Sequence, residues 1–153
     1  MAVAIDVGDF NDIHPKDKAP VGERLALAAR AVAYGEPIAY TGPMLETIKF
    51  MEGKAILRFT GAEGGLAANG GGELKGFEIA GEDRQFVPAR AELAGESVIA
   101  VSSPQVSRPA AVRYAWSNWP ECNLICKAGL PASPFRTDDW PLEPVAQPIP
   151  EGQ

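Results

Sequence analysis

The sequence predicts an α+β chain, with one strand–loop–helix unit over residues 1–36 and a mainly antiparallel β-sandwich over residues 37–140. Three observations carry this. Apolar residues repeat at helical spacing only once, between Pro20 and Gly35. Beyond Gly35 the period falls toward two, in a series of short runs parted by turn residues. The 16 glycines and 14 prolines among 153 residues favour turn-rich β-structure over helix bundles.

Ala2-Val3-Ala4-Ile5 with Val7 predicts a buried strand that closes on Gly8, followed by a polar loop from Asp9 to Ala19. Pro20 suits the first turn of a helix, because the amide it lacks has no intrahelical acceptor there, and Asp17 lies near the positive end of the dipole. Val21, Leu25, Ala28 and Val32 then fall on one helical face, and Gly35 supplies a left-handed stop. Strands are predicted at 38–40, 47–51, 55–59, 74–79, 85–93, 98–101 and 112–116, a spacing that reads as a sandwich. Pro88 places its strand at an edge or on a bulge, since proline brings no N–H to a ladder. Residues 141–153, with four prolines and almost no apolar pattern, predict an extended, mobile tail.

Composition excludes several functions. A net charge of −6, with 14 scattered basic residues, gives no basic stripe for a nucleic-acid backbone. No run approaches the roughly 18 apolar residues of a membrane span. Met1-Ala2-Val3-Ala4-Ile5 has no basic region and Asp6 ends the apolar run, so no signal peptide is predicted and the chain as written is expected to stay in the cytoplasm. Cys122 and Cys126 are too few for a zinc site and are expected as buried thiols near strand ends rather than a disulfide. No metal and no cofactor is expected.

The one histidine, His14, follows the first predicted strand, with carboxylates at Asp9 and Asp12. Histidine takes a proton from a hydroxyl nucleophile near neutral pH when a carboxylate fixes its tautomer, and loops after strands are where α/β sites gather. For an arbitrary protein, a surface histidine in a polar loop is the commoner outcome. No serine offers a matching nucleophile: Gly95-Glu96-Ser97 reads as a hairpin turn, with no following helix to supply an oxyanion site. The glycine run 64–72 lacks the Lys-Ser/Thr ending of a phosphate loop and reads as a flexible connection. Tyr114, Trp116 and Trp119 suit a sugar-stacking platform, although alternation along a strand would bury at least one of the first two. Arg136 is expected to bind a carboxylate, its own Asp138 or one across an interface.

Several motifs in one order carry a family resemblance. Ile5-Asp6-Val7-Gly8-Asp9, Asn11-Asp12-Ile13-His14-Pro15-Lys16-Asp17-Lys18 and Pro20-Val21-Gly22-Glu23-Arg24-Leu25 resemble the end of the catalytic domain of sialate O-acetylesterases. Gly76-Phe77-Glu78-Ile79, Ala111-Val112-Arg113-Tyr114-Ala115-Trp116 and Gly129-Leu130-Pro131 through Asp138 resemble their accessory β-domain. The resemblance implies an SGNH-type α/β hydrolase that removes O-acetyl groups from sialic acid or related acetylated sugars, with an early serine as nucleophile and a late histidine as base. His14 matches that histidine. Asp12 is the candidate orienting carboxylate, although the superfamily spacing would put an aspartate where Asn11 stands. Either Asp12 acts from a shifted loop or the histidine works in a dyad.

The resemblance also places the serine upstream of everything seen here, so the chain is expected to be inactive alone. A truncated gene, an internal start or one half of a split enzyme would each explain this. Its expected partners are an acetylated sugar and an N-terminal esterase fragment, with no nucleic acid or membrane. A non-enzymatic carbohydrate-binding or interaction module is the alternative.

Overall fold

In the computed structural model, residues 1–12, 14 and 16–141 are described. The tail expected at 141–153 therefore falls outside them, save for Pro141.

Helix α1 spans Ala19–Tyr34 with proline in its first turn, and Gly35 ends it at φ 71. That left-handed residue lets the Glu36 N–H reach the Arg30 carbonyl at 3.2 Å, so a carbonyl of the last turn is satisfied. The Arg30 guanidinium and the Glu36 carboxylate pair across the same turn at 2.8 and 2.6 Å. Its apolar face is not buried, and Leu25, Val32 and Tyr34 are all exposed.

Among the described residues ten strands follow, in antiparallel pairs throughout. Strands β1 (Met44–Met51), β2 (Lys54–Thr60), β6 (Arg90–Gly95) and β7 (Val98–Ser102) form one sheet in the order β1-β2-β7-β6. A second sheet orders β10 (Phe135–Arg136), β8 (Ala111–Tyr114), β4 (Phe77–Ala80) and β5 (Val87–Pro88). A two-stranded ribbon joins β3 (Leu66–Ala68) to β9 (Leu124–Cys126). Turn chemistry sets the hairpins: Glu52 and Gly53, at φ 51 and 75, give the two left-handed residues that a tight β1–β2 turn needs.

Period-two burial builds the core. Ala55, Leu57 and Phe59 of β2 and Ile99 and Val101 of β7 point one way, while Phe77, Ile79, Val112 and Tyr114 come from the second sheet. Each such large apolar side chain contributes about 1.5–3 kcal/mol on leaving water. Phe59 of the first sheet meets Phe135 of the second at 5.9 Å, and Phe135 stacks on Tyr114 at 5.7 Å. The Tyr114 hydroxyl, deep in this cluster, accepts the Leu124 N–H at 3.0 Å.

Several predicted elements are corrected. Residues 1–8 form no strand, since no described strand lies beside them to complete a ladder; the segment is instead held by side chains. Residues 38–40 are also irregular, because the Ile38 N–H turns back to the Glu36 carbonyl at 2.9 Å. The run 74–79 yields a strand only from Phe77: Gly76 has φ 87, and a Cβ there would stand 2.8 Å from Cβ of Cys122. The run 85–93 divides near Ala89, where the chain leaves the second sheet for the first. Within it, Pro88 lies on an edge strand as proline requires. Strand β8 stops at Tyr114 because Ala115 is left-handed at φ 51.

Candidate active site

Asp9, Asn11, Asp12 and His14 bond to one another locally. Asp9 Oδ1 accepts the Asn11 N–H at 3.0 Å, and the Asp9 carbonyl accepts the Asp12 N–H at 3.4 Å. Asp12 repeats the device on His14: its Oδ1 accepts the backbone N–H at 2.8 Å and lies 3.3 Å from ring Nδ1. A short acidic side chain that bonds the backbone two residues on is what stabilises such turns. With Nδ1 facing Asp12, Nε2 is the ring nitrogen that this carboxylate does not engage. The His14 side chain is 78% exposed and that of Asp12 42%.

Two anchors fix the segment that leads into this turn. From α1, the Arg24 guanidinium donates to the Val3 carbonyl at 2.8 Å and to both carboxylate oxygens of Asp6 at 2.6 and 2.7 Å. Hydrogen bonding to Asp6 raises the pKa of Arg24 above its ordinary value, against a smaller opposing effect of burial. From the chain after β8, Trp119 lies so close to Gly8 that a Cβ there would stand 2.9 Å from the indole ring. Its ring also meets Phe10 edge-on at 5.9 Å.

A broad cleft of about 1410 Å³ opens beside the second sheet. Arg84 and Phe86 come from the β4–β5 connection, Arg113 from β8, Trp116 and Asn118 from the chain after β8, and Trp140 from beyond β10. Ile5, from the segment that leads to His14, also borders it. Arg84 lies over Trp140 at 5.5 Å, Trp140 meets Phe86 at 5.7 Å, and Arg113 sits 3.9 Å over Phe86. Arg113 is bound to the Asp138 carboxylate at 2.8 and 2.9 Å, and the Asp138 side chain has no exposure. That hydrogen bonding holds the Asp138 carboxyl below the usual carboxylate range.

No protein-family profile matches the chain. It is similar to the sialate O-acetylesterase of Pongo abelii, at 35% identity over 149 aligned residues covering 88% of this chain and 28% of that protein. The enzyme of the same name from Mus musculus is 36% identical, with 88% and 27% covered. Among solved structures, a carbohydrate acetylesterase from Xanthomonas citri matches with a TM-score of 0.87 at 50% identity, over 91% of this chain and 32% of that one. This chain is a relative of the sialate O-acetylesterases. It spans a little over a quarter of the length of the curated relatives it matches.

Within this relative of the sialate O-acetylesterases, the structure brings His14 and Asp12 into contact and leaves Asn11 bonded to Asp9 through its backbone. Ser97 lies in the β6–β7 hairpin turn. The glycine run contains β3 as well as loop. Tyr114, Trp116 and Trp119 form no shared platform: Tyr114 is buried, Trp116 borders the cleft, and Trp119 packs on Gly8 and Phe10. Arg136 stands 3.9 Å from Asp138, whose main partner is Arg113. Both cysteines are free thiols, Cys126 buried and Cys122 half-buried, and burial pushes the Cys122 thiol up. Among the described residues no cluster of His, Cys, Asp or Glu is placed to hold a metal, and no helix is long and apolar enough to cross a membrane.

Sequence reasoning missed Arg84, Phe86 and Trp140 as site residues. Arg84 and Phe86 share one connection, but Trp140 lies far along the chain and meets them only through the sheet order. The one local signal was Arg84 after Glu82-Asp83, in what reads as an ordinary turn.

Proposed function

We propose that this chain contributes the histidine base and the accessory β-sandwich of an SGNH-type esterase that cleaves O-acetyl groups from sialic acid or a related acetylated sugar. Residues 1–36 would belong to its catalytic domain and 37–140 to the accessory domain. The observation that carries the reading is the Asp12–His14 contact at 3.3 Å, in a chain similar to esterases over most of its length. His14 Nε2 accepts the proton of a serine hydroxyl as that oxygen attacks the acetyl carbonyl, and then returns it to the departing sugar oxygen. Asp12 holds the tautomer with Nδ1 protonated and stabilises the imidazolium that forms. The serine and oxyanion donors would come from sequence matching the rest of the relatives' length, as part of one polypeptide or as a separate fragment. On this reading the 153 residues alone are inactive.

The test is hydrolysis of p-nitrophenyl acetate and of O-acetylated sialic acid, with and without the complementary esterase segment. Activity that appears on complementation and disappears in His14→Ala supports the proposal. Equal activity in His14→Ala overturns it. A second reading, a sugar-binding module without catalysis, is favoured by the aromatic cleft and predicts saturable sugar binding that is indifferent to His14.

A further inference from the structure

We propose that Trp119 is a positioning residue for His14: through Gly8 and Phe10, the β-structure sets where the histidine turn stands. This role rests on the assignment of His14 as the esterase base.

The turn's own bonds set its shape and not its place. Asp9 bonds to Asn11 and Asp12, and Asp12 bonds to His14, each across only two or three residues. Such a turn swings as a unit without breaking any of them. Asp9, Phe10, Asn11 and His14 are exposed, so little packing opposes the swing. Proton transfer does oppose it, since a misplacement of about 1 Å costs about 10²-fold in rate.

Two contacts of one indole limit the swing. The three atoms nearest an added Cβ at Gly8 would be Cζ3, Cη2 and Cε3 of Trp119, at 2.9, 3.4 and 3.9 Å. Phe10 meets the same side chain edge-on at 5.9 Å, with the ring planes at 74°. Gly8 and Phe10 flank Asp9, from which the first two bonds of the turn arise. Phe10 is 72% exposed and Trp119 48%, so the pair lies outside the core and bears little on overall stability.

Trp119 is itself held from the second sheet. Before it, the Ala115 N–H bonds to the Gly76 carbonyl at 2.8 Å. After it, the Asn123 side chain donates to the Glu73 carbonyl at 2.9 Å and accepts the Lys75 N–H at 2.8 Å. Both ties run to the chain just before β4, so the indole is carried on a loop fastened at each end.

The experiment takes the full chain alone and in the complemented esterase. In the chain alone, nitrogen-15 relaxation reads the order of the Asn11, Asp12 and His14 amides, whatever chemistry His14 performs. Trp119→Ala should loosen those amides while the melting temperature stays put, and Trp119→Phe should keep them ordered. With p-nitrophenyl acetate in the complemented esterase, Trp119→Ala should lower kcat about 10- to 100-fold and leave KM alone, and Trp119→Phe should recover most of the loss. Gly8 is not among the glycines with positive φ, so its backbone accepts alanine and the added methyl group strikes the indole. Gly8→Ala should therefore lower kcat too, but add nothing in the Trp119→Ala background, because both act at one contact. Amides as ordered in Trp119→Ala as in the parent, an unchanged kcat, a loss that phenylalanine does not recover, or effects of Gly8→Ala and Trp119→Ala that simply add overturn the proposal. His14→Ala tells the two readings apart. Activity lost there but kept in Trp119→Ala strikes the positioning role alone, whereas activity kept in His14→Ala strikes the base and this role with it.

Discussion

Arg24 on the helix grips Asp6 with both terminal nitrogens and takes the Val3 carbonyl as well. The two side chains are only 11% and 22% exposed, so water replaces these bonds poorly. Arg24→Ala should loosen residues 2–8 without unfolding the sheets, because a lost charge-assisted bond costs about 1.5–3 kcal/mol. Hydrogen exchange should quicken about tenfold or more in that segment alone. Unchanged exchange there would show that Trp119 suffices as an anchor.

Asp12 and His14 are exposed, so their variants separate chemistry from folding. In the complemented esterase, Asp12→Asn should lower the rate about 10²- to 10⁴-fold while the melting temperature stays put. A dyad in which Asp12 plays no part predicts a rate within a few-fold of the parent.

Gly42 faces the backbone of Pro131, and an added Cβ would fall 2.0 Å from its carbonyl oxygen. Gly42→Ala should cost about 2–3 kcal/mol in urea unfolding, since backbone must move on both sides. Gly22, inside α1 with nothing within 4 Å of its added Cβ, predicts the opposite sign. Gly22→Ala should stabilise by about 0.5–1 kcal/mol through helix propensity, if the helix unfolds with the sheets.

The Tyr114 phenol is held far above its ordinary pKa, chiefly by burial. The folded state therefore keeps a proton that the unfolded chain loses, and stability should fall once pH rises past about 10. Absorbance at 295 nm should show Tyr114 ionising only as the protein unfolds. Tyr114→Phe removes this dependence and strands the Leu124 N–H, at a cost of about 1–2 kcal/mol.

Asp138 has the reverse sign. Hydrogen bonding to Arg113 lowers its pKa, so its contribution is present above the unfolded carboxyl value and is lost as pH falls through the folded one. Stability should decline below about pH 4. Asp138→Asn leaves Arg113, 17% exposed, without its counter-ion and should cost about 3 kcal/mol at pH 7. An unchanged urea midpoint would mean that solvent compensates the arginine.

Local signals in the sequence carried the helix and most of the long strands. Pro20, the apolar repeat and Gly35 fix α1, and alternation fixes β2 and β7, because each depends on neighbours within a few residues. Residues 1–8 misled for the opposite reason: an apolar alternating stretch becomes a strand only when another strand receives its hydrogen bonds. Strands β3, β9 and β10 are two or three residues long, too short for any period to show. The Asp12–His14 contact was legible because two-residue spacing brings such side chains together locally. The cleft was not, because Ile5, Arg84, Trp116 and Trp140 meet only once the sheets have formed.

The β3–β9 ribbon sets Leu66 opposite Cys126, with the whole second sheet except β10 strung between them. Closing so long a loop costs entropy before the pairing repays it. The ribbon should therefore form late, after the β1–β2 and β6–β7 hairpins have paid little to close. A nick or insertion between β3 and β9 would then slow refolding more than it lowers the final stability, which makes this short ribbon a kinetic clasp on the domain.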